Sequence, residues 1–296
     1  EPQLRIEAGV HTTLIRRVAV DAARNRLVTC GDDKTVRVWQ MPELRLVATL
    51  RVPIDAGHEG QLFAVAVSPD GRTVATGGWT GWDWDGAASI YLLDVATGRM
   101  VRRIGGFKDA INAIVWSRDG EHLLVGLQGR GGLHRVRAAD GRVVASDLQY
   151  LDKVMEIDER PSDGLVTAVA LDGNIRLYDR ALALLGRRAV AGGSKPASAR
   201  FSPDGRSIAV GFIDQAVVTV LQARDLSEAF RPSLAGVREQ ASFASVAWSS
   251  DGRFLHAGGD YRGGGANPIY RWSDGGRGAM QALPVAENRV TELQQM

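Results

Sequence analysis

Seven short apolar runs recur along the chain at nearly constant spacing, and this limits the possible folds more than any other feature. The runs end at Val20 (RRVAV), Val67 (FAVAV), Trp116 (NAIVW), Ile157 (KVMEI), Phe201 (ASARF), Trp248 (ASVAW) and Leu293 (RVTEL), so successive units are 41 to 49 residues long. A period of that length marks a repeat architecture, in which each unit buries its apolar face only against its neighbours. Helical arrays share such periods, so the residues must decide. Val, Ile, Ala and aromatic side chains alternate within each run and a turn follows at once, which is strand chemistry.

The turns agree. Ser68-Pro69-Asp70-Gly71, Ser117-Arg118-Asp119-Gly120, Ser202-Pro203-Asp204-Gly205 and Ser249-Ser250-Asp251-Gly252 each follow one of the runs. Pro presets φ, Asp bonds its own backbone and Gly accepts positive φ, so each quartet joins the first strand of a unit to the second. Asp94–Gly98 and Asp140-Gly141 are turns before a fourth strand, and Leu171–Asn174 joins strands two and three of the fourth unit.

Leu27 to Trp39, LVTCGDDKTVRVW, is the fullest statement of the unit: two β-prone runs around an Asp/Gly turn, read as a hairpin. With His11 upstream, it resembles the WD-repeat family of β-propellers, His11, Thr29, Asp33 and Trp39 standing at the repeat's His, Ser/Thr, Asp and Trp positions. The resemblance implies a buried hydrogen-bonded chain from the Trp indole through Thr and His to Asp, a structural role. The alternative, a catalytic His-Asp-Thr set, needs an exposed nucleophile in a cleft. Blade two has His58 and Thr76 but Leu92 or Leu93 at the Trp position, and blade four keeps its turn without the His, so most blades are expected to rest on apolar packing.

The fold class is therefore all-β, a propeller of four-stranded antiparallel blades, read as a single domain over 1–296. The repeats run approximately over 11–50, 57–106, 107–149, 150–190, 191–234 and 235–284. Residues 1–10 and 285–296 make a partial last blade, its first strand ending at Leu293 and its fourth supplied by Leu4–Glu7, which gives seven blades, the last incomplete. The competing reading closes six blades and leaves the terminal pieces as tails.

Composition excludes several classes. A net charge of +2 without clustering gives no nucleic-acid footprint. Cys30 is the only cysteine, which excludes an intramolecular disulfide and a Cys-based metal site. No apolar run reaches the ~18 residues that span a bilayer as a helix. The chain begins at Glu1 rather than Met, so it is read as a processed chain or a piece of a longer one, cytoplasmic or periplasmic.

Three loops carry the candidate binding residues. GGWTGWDWDGAA, between Thr76 and Ser89, holds Trp79, Trp82 and Trp84 with Asp83 and Asp85. It reads either as a local mini-core or as an aromatic binding patch; two Asp fall far short of a calcium loop. Gly258–Asn267 carries Tyr261 and Arg262, and Gln128–Gly132 carries Arg130. The Gly258–Asn267 run lacks the strand–loop–helix setting of a phosphate cradle. His122, His134 and His256 are isolated, so no metal or cofactor is expected.

The expectation is a non-catalytic protein-interaction scaffold, a docking or sensor propeller of bacterial style, read as a domain of a larger protein. Its partner, a protein or peptide, binds through Trp79, Trp82, Asp83, Trp84, Arg130, Tyr261 and Arg262. The loops between strands two and three lie on the opposite face from the Ser-Pro-Asp-Gly turns, so these residues share one face. A TolB-like periplasmic propeller, which Phe201–Gly205 also fits, and a small-molecule-binding or hydrolytic propeller are the alternatives.

Overall fold

The alternating runs and their turns pair into six antiparallel sheets of four strands each, joined in simple chain order. A computed structural model describes residues 7–238, 241–260, 266–286 and 290–294. Blade one holds β1 (Ile15–Asp21), β2 (Arg26–Gly31), β3 (Thr35–Gln40) and β4 (Arg45–Arg51); blade two holds β5 (Gln61–Val67), β6 (Thr73–Trp79), β7 (Ala88–Asp94) and β8 (Met100–Phe107). Blade three holds β9 (Ile111–Trp116), β10 (His122–Leu127), β11 (Leu133–Arg137) and β12 (Val143–Asp147). Blade four follows with β13 (Val154–Glu159), β14 (Val166–Ala170), β15 (Asn174–Tyr178) and β16 (Leu184–Ala189). Blade five is β17 (Pro196–Phe201), β18 (Ser207–Phe212), β19 (Val218–Gln222) and β20 (Glu228–Phe230), and blade six is β21 (Ser245–Trp248), β22 (Leu255–Gly258), β23 (Asn267–Trp272) and β24 (Met280–Ala286).

The first strand of each blade lines a central channel and the fourth lies at the rim. The Ser-x-Asp-Gly turns between strands one and two are self-contained. Ser68, Ser117, Ser202 and Ser249 each donate their hydroxyl to the Asp two residues on, at 2.5–2.6 Å. The Asp then accepts a backbone N–H from two residues further on, as Asp70 does from Arg72. Local hydrogen bonds of this kind fix the turn without help from neighbouring blades.

The apolar cores lie between blades. Val28, Val38 and Leu50 of blade one meet Leu62, Val74 and Leu93 of blade two, and four further clusters fill the junctions two–three, three–four, four–five and five–six. Glycine in the second strand lets the next inner strand approach: a Cβ on Gly211 would lie 2.2 Å from the Phe243 carbonyl oxygen, and one on Gly126 2.6 Å from the Val154 side chain.

Among the described residues there are six blades, which corrects the seven-bladed expectation. The Leu293 run does take an inner position. Leu293 N–H donates to Ser245 Oγ as Val246 N–H donates to Ser198 Oγ, and Val290 N–H reaches the Gly259 carbonyl as Phe243 N–H reaches that of Phe212. Glu292 accepts from Val18 N–H as Glu156 accepts from Ala199 N–H. Residues 290–294 thus repeat the contacts of an inner strand, and among the described residues no sheet is built on them. The run recurs because its alternation encodes contact with channel and neighbours, which a single extended segment satisfies. Leu4, Arg5 and Ile6 lie outside the described residues. Glu7 is held on blade one, its carboxylate 2.6 Å from Arg37 and 3.0 Å from Arg51.

Candidate partner-binding face

The connections between strands two and three, and those leading to the next blade, emerge on one face of the ring. Two hydrogen-bonded networks fix this face. In blade one, Thr29 Oγ1 accepts from Trp39 Nε1 at 2.8 Å and bonds His11 Nε2 at 2.7 Å, and His11 Nδ1 lies 2.9 Å from Asp33. Asp33 also accepts from Thr35 Oγ1 at 2.9 Å. Thr29 is buried with both hydroxyl partners satisfied, a structural tie rather than a poised nucleophile. The network joins the stretch before β1 to the β2–β3 turn, and so places Val10 and Leu14 on the face.

Blade four reaches the same end with other residues. Asp172 stands at the turn position of Asp33 and pairs with Arg176 at 2.6 Å, both side chains 1% exposed. Arg176 donates to the Gln149 carbonyl and stacks 3.8 Å from the Tyr150 ring centroid. Tyr150 and Tyr178 hydroxyls are 2.8 Å apart, and Tyr178 donates to Asp147. The sequence reading missed this network because its members come from three separated stretches. The signal was Tyr178 at the Trp39 position with Arg176 two residues before it. In blade two, His58 bonds Gln61 and Thr76 bonds the Ala64 carbonyl, so these two residues are not linked.

The Trp insertion folds as a short helix, α1 (Trp82–Asp85), preceded by Gly81 at φ 95°. Its N-terminal N–H groups have no local capping side chain. Glu59, buried in the connection from blade one to blade two, accepts from Gly81, Trp82 and Asp83 at 2.5, 2.9 and 3.3 Å. Asp85 pairs with Arg103, which also donates to Ser89 Oγ, so the loop is tied at both ends. Trp82 turns inward against the core between blades two and three, while its ring stacks on Trp79 at 5.2 Å. Trp79 and Trp84 remain 38% and 41% exposed, and Asp83 is exposed beside them. Glu59 was not singled out from sequence, because a capping residue more than twenty positions away leaves no local pattern.

Arg130 is exposed on the adjacent blade, in the β10–β11 loop, and no partner holds it among the described residues. Tyr261 and Arg262 lie outside the described residues. The channel mouth on this face is a cavity of about 300 Å³ walled by Leu14, Phe63, Met155 and Ile213, with Arg16 and Lys153 at its edge. Leu148 and Leu151, between β12 and β13, are among the most exposed apolar residues of the described chain and project from the same face.

Below the mouth, charges crowd the channel wall. Arg200 pairs with Glu156 at 2.5 Å and Glu292 at 3.4 Å, and Arg17 lies 3.8 and 3.7 Å from the same two carboxylates. Desolvation pushes the Asp158 carboxyl up to about 6 despite Arg200 nearby. Glu292 is also raised, for the same reason. On the opposite face Asp119, Glu121 and His122 come together, unlike the isolated His122 of the sequence reading, but Arg180 holds Asp119 and Arg135 holds His122.

Six radial four-stranded sheets around a channel define a β-propeller. The sequence profile described as WD domain, G-beta repeat matches residues 6–40 and 45–91, a stretch that spans blades one and two. A ribosome biogenesis protein WDR12 homolog of Drosophila mojavensis is 25% identical over 183 residues, 57% of this chain and 42% of that protein. A cross-pathway control WD-repeat protein 2 of Flammulina velutipes is 32% identical over 95 residues, 31% of this chain and 25% of that one. The chain thus spans less than half the length of either relative. Both are eukaryotic and give no support to a bacterial type. Among the described residues no helix is long and apolar enough to cross a membrane.

Proposed function

We propose that this propeller is a protein-docking scaffold whose partner, a protein or peptide, seats on the face bearing α1, with Trp84 and Trp79 as anchors and Asp83 and Arg130 beside them. One observation carries the reading: two indoles stand well exposed on a loop that Glu59 and Arg103 hold rigid. Rigid aromatic groups lose little entropy on binding and dominate interface energetics. Trp82 supports Trp79 from below by stacking. The exposed Leu148 and Leu151 extend apolar area across the same face. The WD-repeat relatives, one of them a ribosome biogenesis protein homolog, are compatible with a role in assembly.

The test is affinity capture of a partner followed by titration of Trp84→Ala and Trp79→Ala. Loss of a true anchor costs ~2 kcal/mol or more, about 30-fold in affinity. Both variants keep the parent's melting temperature, because neither ring belongs to a core. Unchanged affinity in both removes the loop from the interface.

A further inference from the structure

The face that carries α1 is electrically uneven. The connection that supplies Glu59 also holds Asp55, and α1 adds Asp83 and Asp85. Arg103 holds Asp85, and Lys34 donates to the main-chain carbonyl of Asp55 at 2.8 Å. Among the described residues Glu59 meets only the N–H groups at the start of α1, and Asp83 has no cation beside it. Burial first, and then the Glu59 charge, push the Tyr91 hydroxyl beside this loop up to about 12. Blade three has the opposite sign. Lys108 and Arg130 are exposed in neighbouring loops, a Cβ on Gly129 falling 2.5 Å from the Asp109 carboxylate. A basic group approaching this face is drawn to blade two and turned away from blade three.

The chain holds several of its own arginines in one way, with a carboxylate at the guanidinium fork and an aromatic ring against its plane. Arg176 pairs with Asp172 at 2.6 Å and lies 3.8 Å from the Tyr150 ring centroid. Arg16 pairs with Asp32 at 2.8 Å and lies 5.5 Å from that of Phe63. Arg103 pairs with Asp85 of α1 and lies 6.0 Å from that of Tyr91. A planar, delocalised cation suits both partners at once. Asp83 and Trp84 are the same two groups, adjacent on α1 and both exposed, and no arginine or lysine among the described residues takes them.

We propose that the partner segment seated on this face presents an arginine to α1, its guanidinium flat on the Trp84 indole and paired with the Asp83 carboxylate. The proposal rests on the reading of this face as the docking site and names the chemistry of the group that docks. The contact combines cation–π attraction with a charge-assisted hydrogen-bonded pair, and the negative field of Glu59 beneath α1 favours the same sign.

The probe is a short peptide, blocked at both ends, with a single Arg among Gly and Ser residues. One twin carries citrulline, the uncharged isostere, and another carries Lys. The readout is the indole N–H signal of Trp84 in isotope-labelled protein, assigned by its loss in Trp84→Phe. The Arg peptide is expected to shift that signal saturably, with the citrulline twin about tenfold or more weaker and the Lys twin a few-fold weaker. Asp83→Asn weakens the Arg peptide about tenfold at an unchanged melting temperature and brings the citrulline twin level with it. Asp55→Asn leaves binding near the parent value. No saturable shift, equal binding of the Arg and citrulline peptides to the parent, or an Asp83→Asn variant that binds like the parent overturns the proposal. The twins are compared on the unaltered protein, so that outcome does not depend on any variant folding. A captured partner that loses affinity in Trp84→Ala but not in Asp83→Asn leaves the docking face standing and overturns the arginine anchor alone. A partner indifferent to Trp84→Ala and Trp79→Ala overturns both.

Discussion

Replacing Asp33 by Ala removes the acceptor at the end of the blade-one network. The carboxylate receives His11 Nδ1 at 2.9 Å, Thr35 Oγ1 at 2.9 Å, and the N–H groups of Thr35 and Thr12 at 3.3 Å each. The His11 side chain is 3% exposed, so its ring N–H loses its partner where water cannot replace it. Leaving one buried donor unsatisfied costs ~1–3 kcal/mol. With the Thr35 hydroxyl also released, a loss of about 3 kcal/mol is expected in urea unfolding. Asp33→Asn, which keeps one acceptor oxygen, should lose about half as much. Burial pushes the Asp33 carboxyl up, but the bonds from His11 and Thr35 outweigh it and hold the carboxyl below its usual range. For a lowered carboxylate the stabilisation is complete above the unfolded value, ~4, and is lost as pH falls through the folded one. The Asp33→Ala penalty should therefore shrink below about pH 4. Asp33→Ala and His11→Phe should couple by ~1–2 kcal/mol, as partners in one network do. Hydrogen exchange over residues 11–51 localises the effect. Additive single effects, or an Asp33→Ala loss under about 0.5 kcal/mol, refute the reasoning.

Asp158 carries the opposite sign. Its raised value, about 6 where an ordinary Asp carboxyl titrates at ~4, means the folded state binds the proton more tightly, so this group's contribution is greatest at low pH and is lost as pH rises through that window. Asp158→Asn should raise stability at pH 7 by roughly 1–3 kcal/mol and flatten the dependence between about pH 4 and 6, read from chemical melts across pH; a parent-like pH profile contradicts this. Glu59→Ala should leave the cores intact but release α1, costing a cap worth ~1–2 kcal/mol and speeding exchange in residues 80–87 by roughly 5- to 30-fold by mass spectrometry. Unaltered protection there means Glu59 does not hold the loop.

The four-stranded antiparallel pattern is legible because each strand and turn carries its own cues: alternation at the runs before Val67 and Phe201, and Ser-Pro-Asp-Gly immediately after them. The blade count is not, because the Leu293 run satisfies the inner-strand pattern whether or not a sheet follows. The Trp79–Trp84 insertion stands out by composition, yet the direction of each ring does not. That direction depends on Glu59 and Arg103, residues remote in sequence. The blade-four network stays hidden because Tyr150, Asp172 and Tyr178 meet only once the strands are in register.

The bond between Val18 and Glu292 joins residues 274 positions apart, whereas each Ser-x-Asp-Gly turn closes within five. Loop closure is entropically dearer for distant partners, and folding slows as such pairings come to dominate. The hairpins of each blade can therefore assemble early and independently, and sealing the ring is the last, slowest step. Until then the inner face of blade one stays uncovered, and in a crowded solution the interval before sealing is when this chain is most open to association with others.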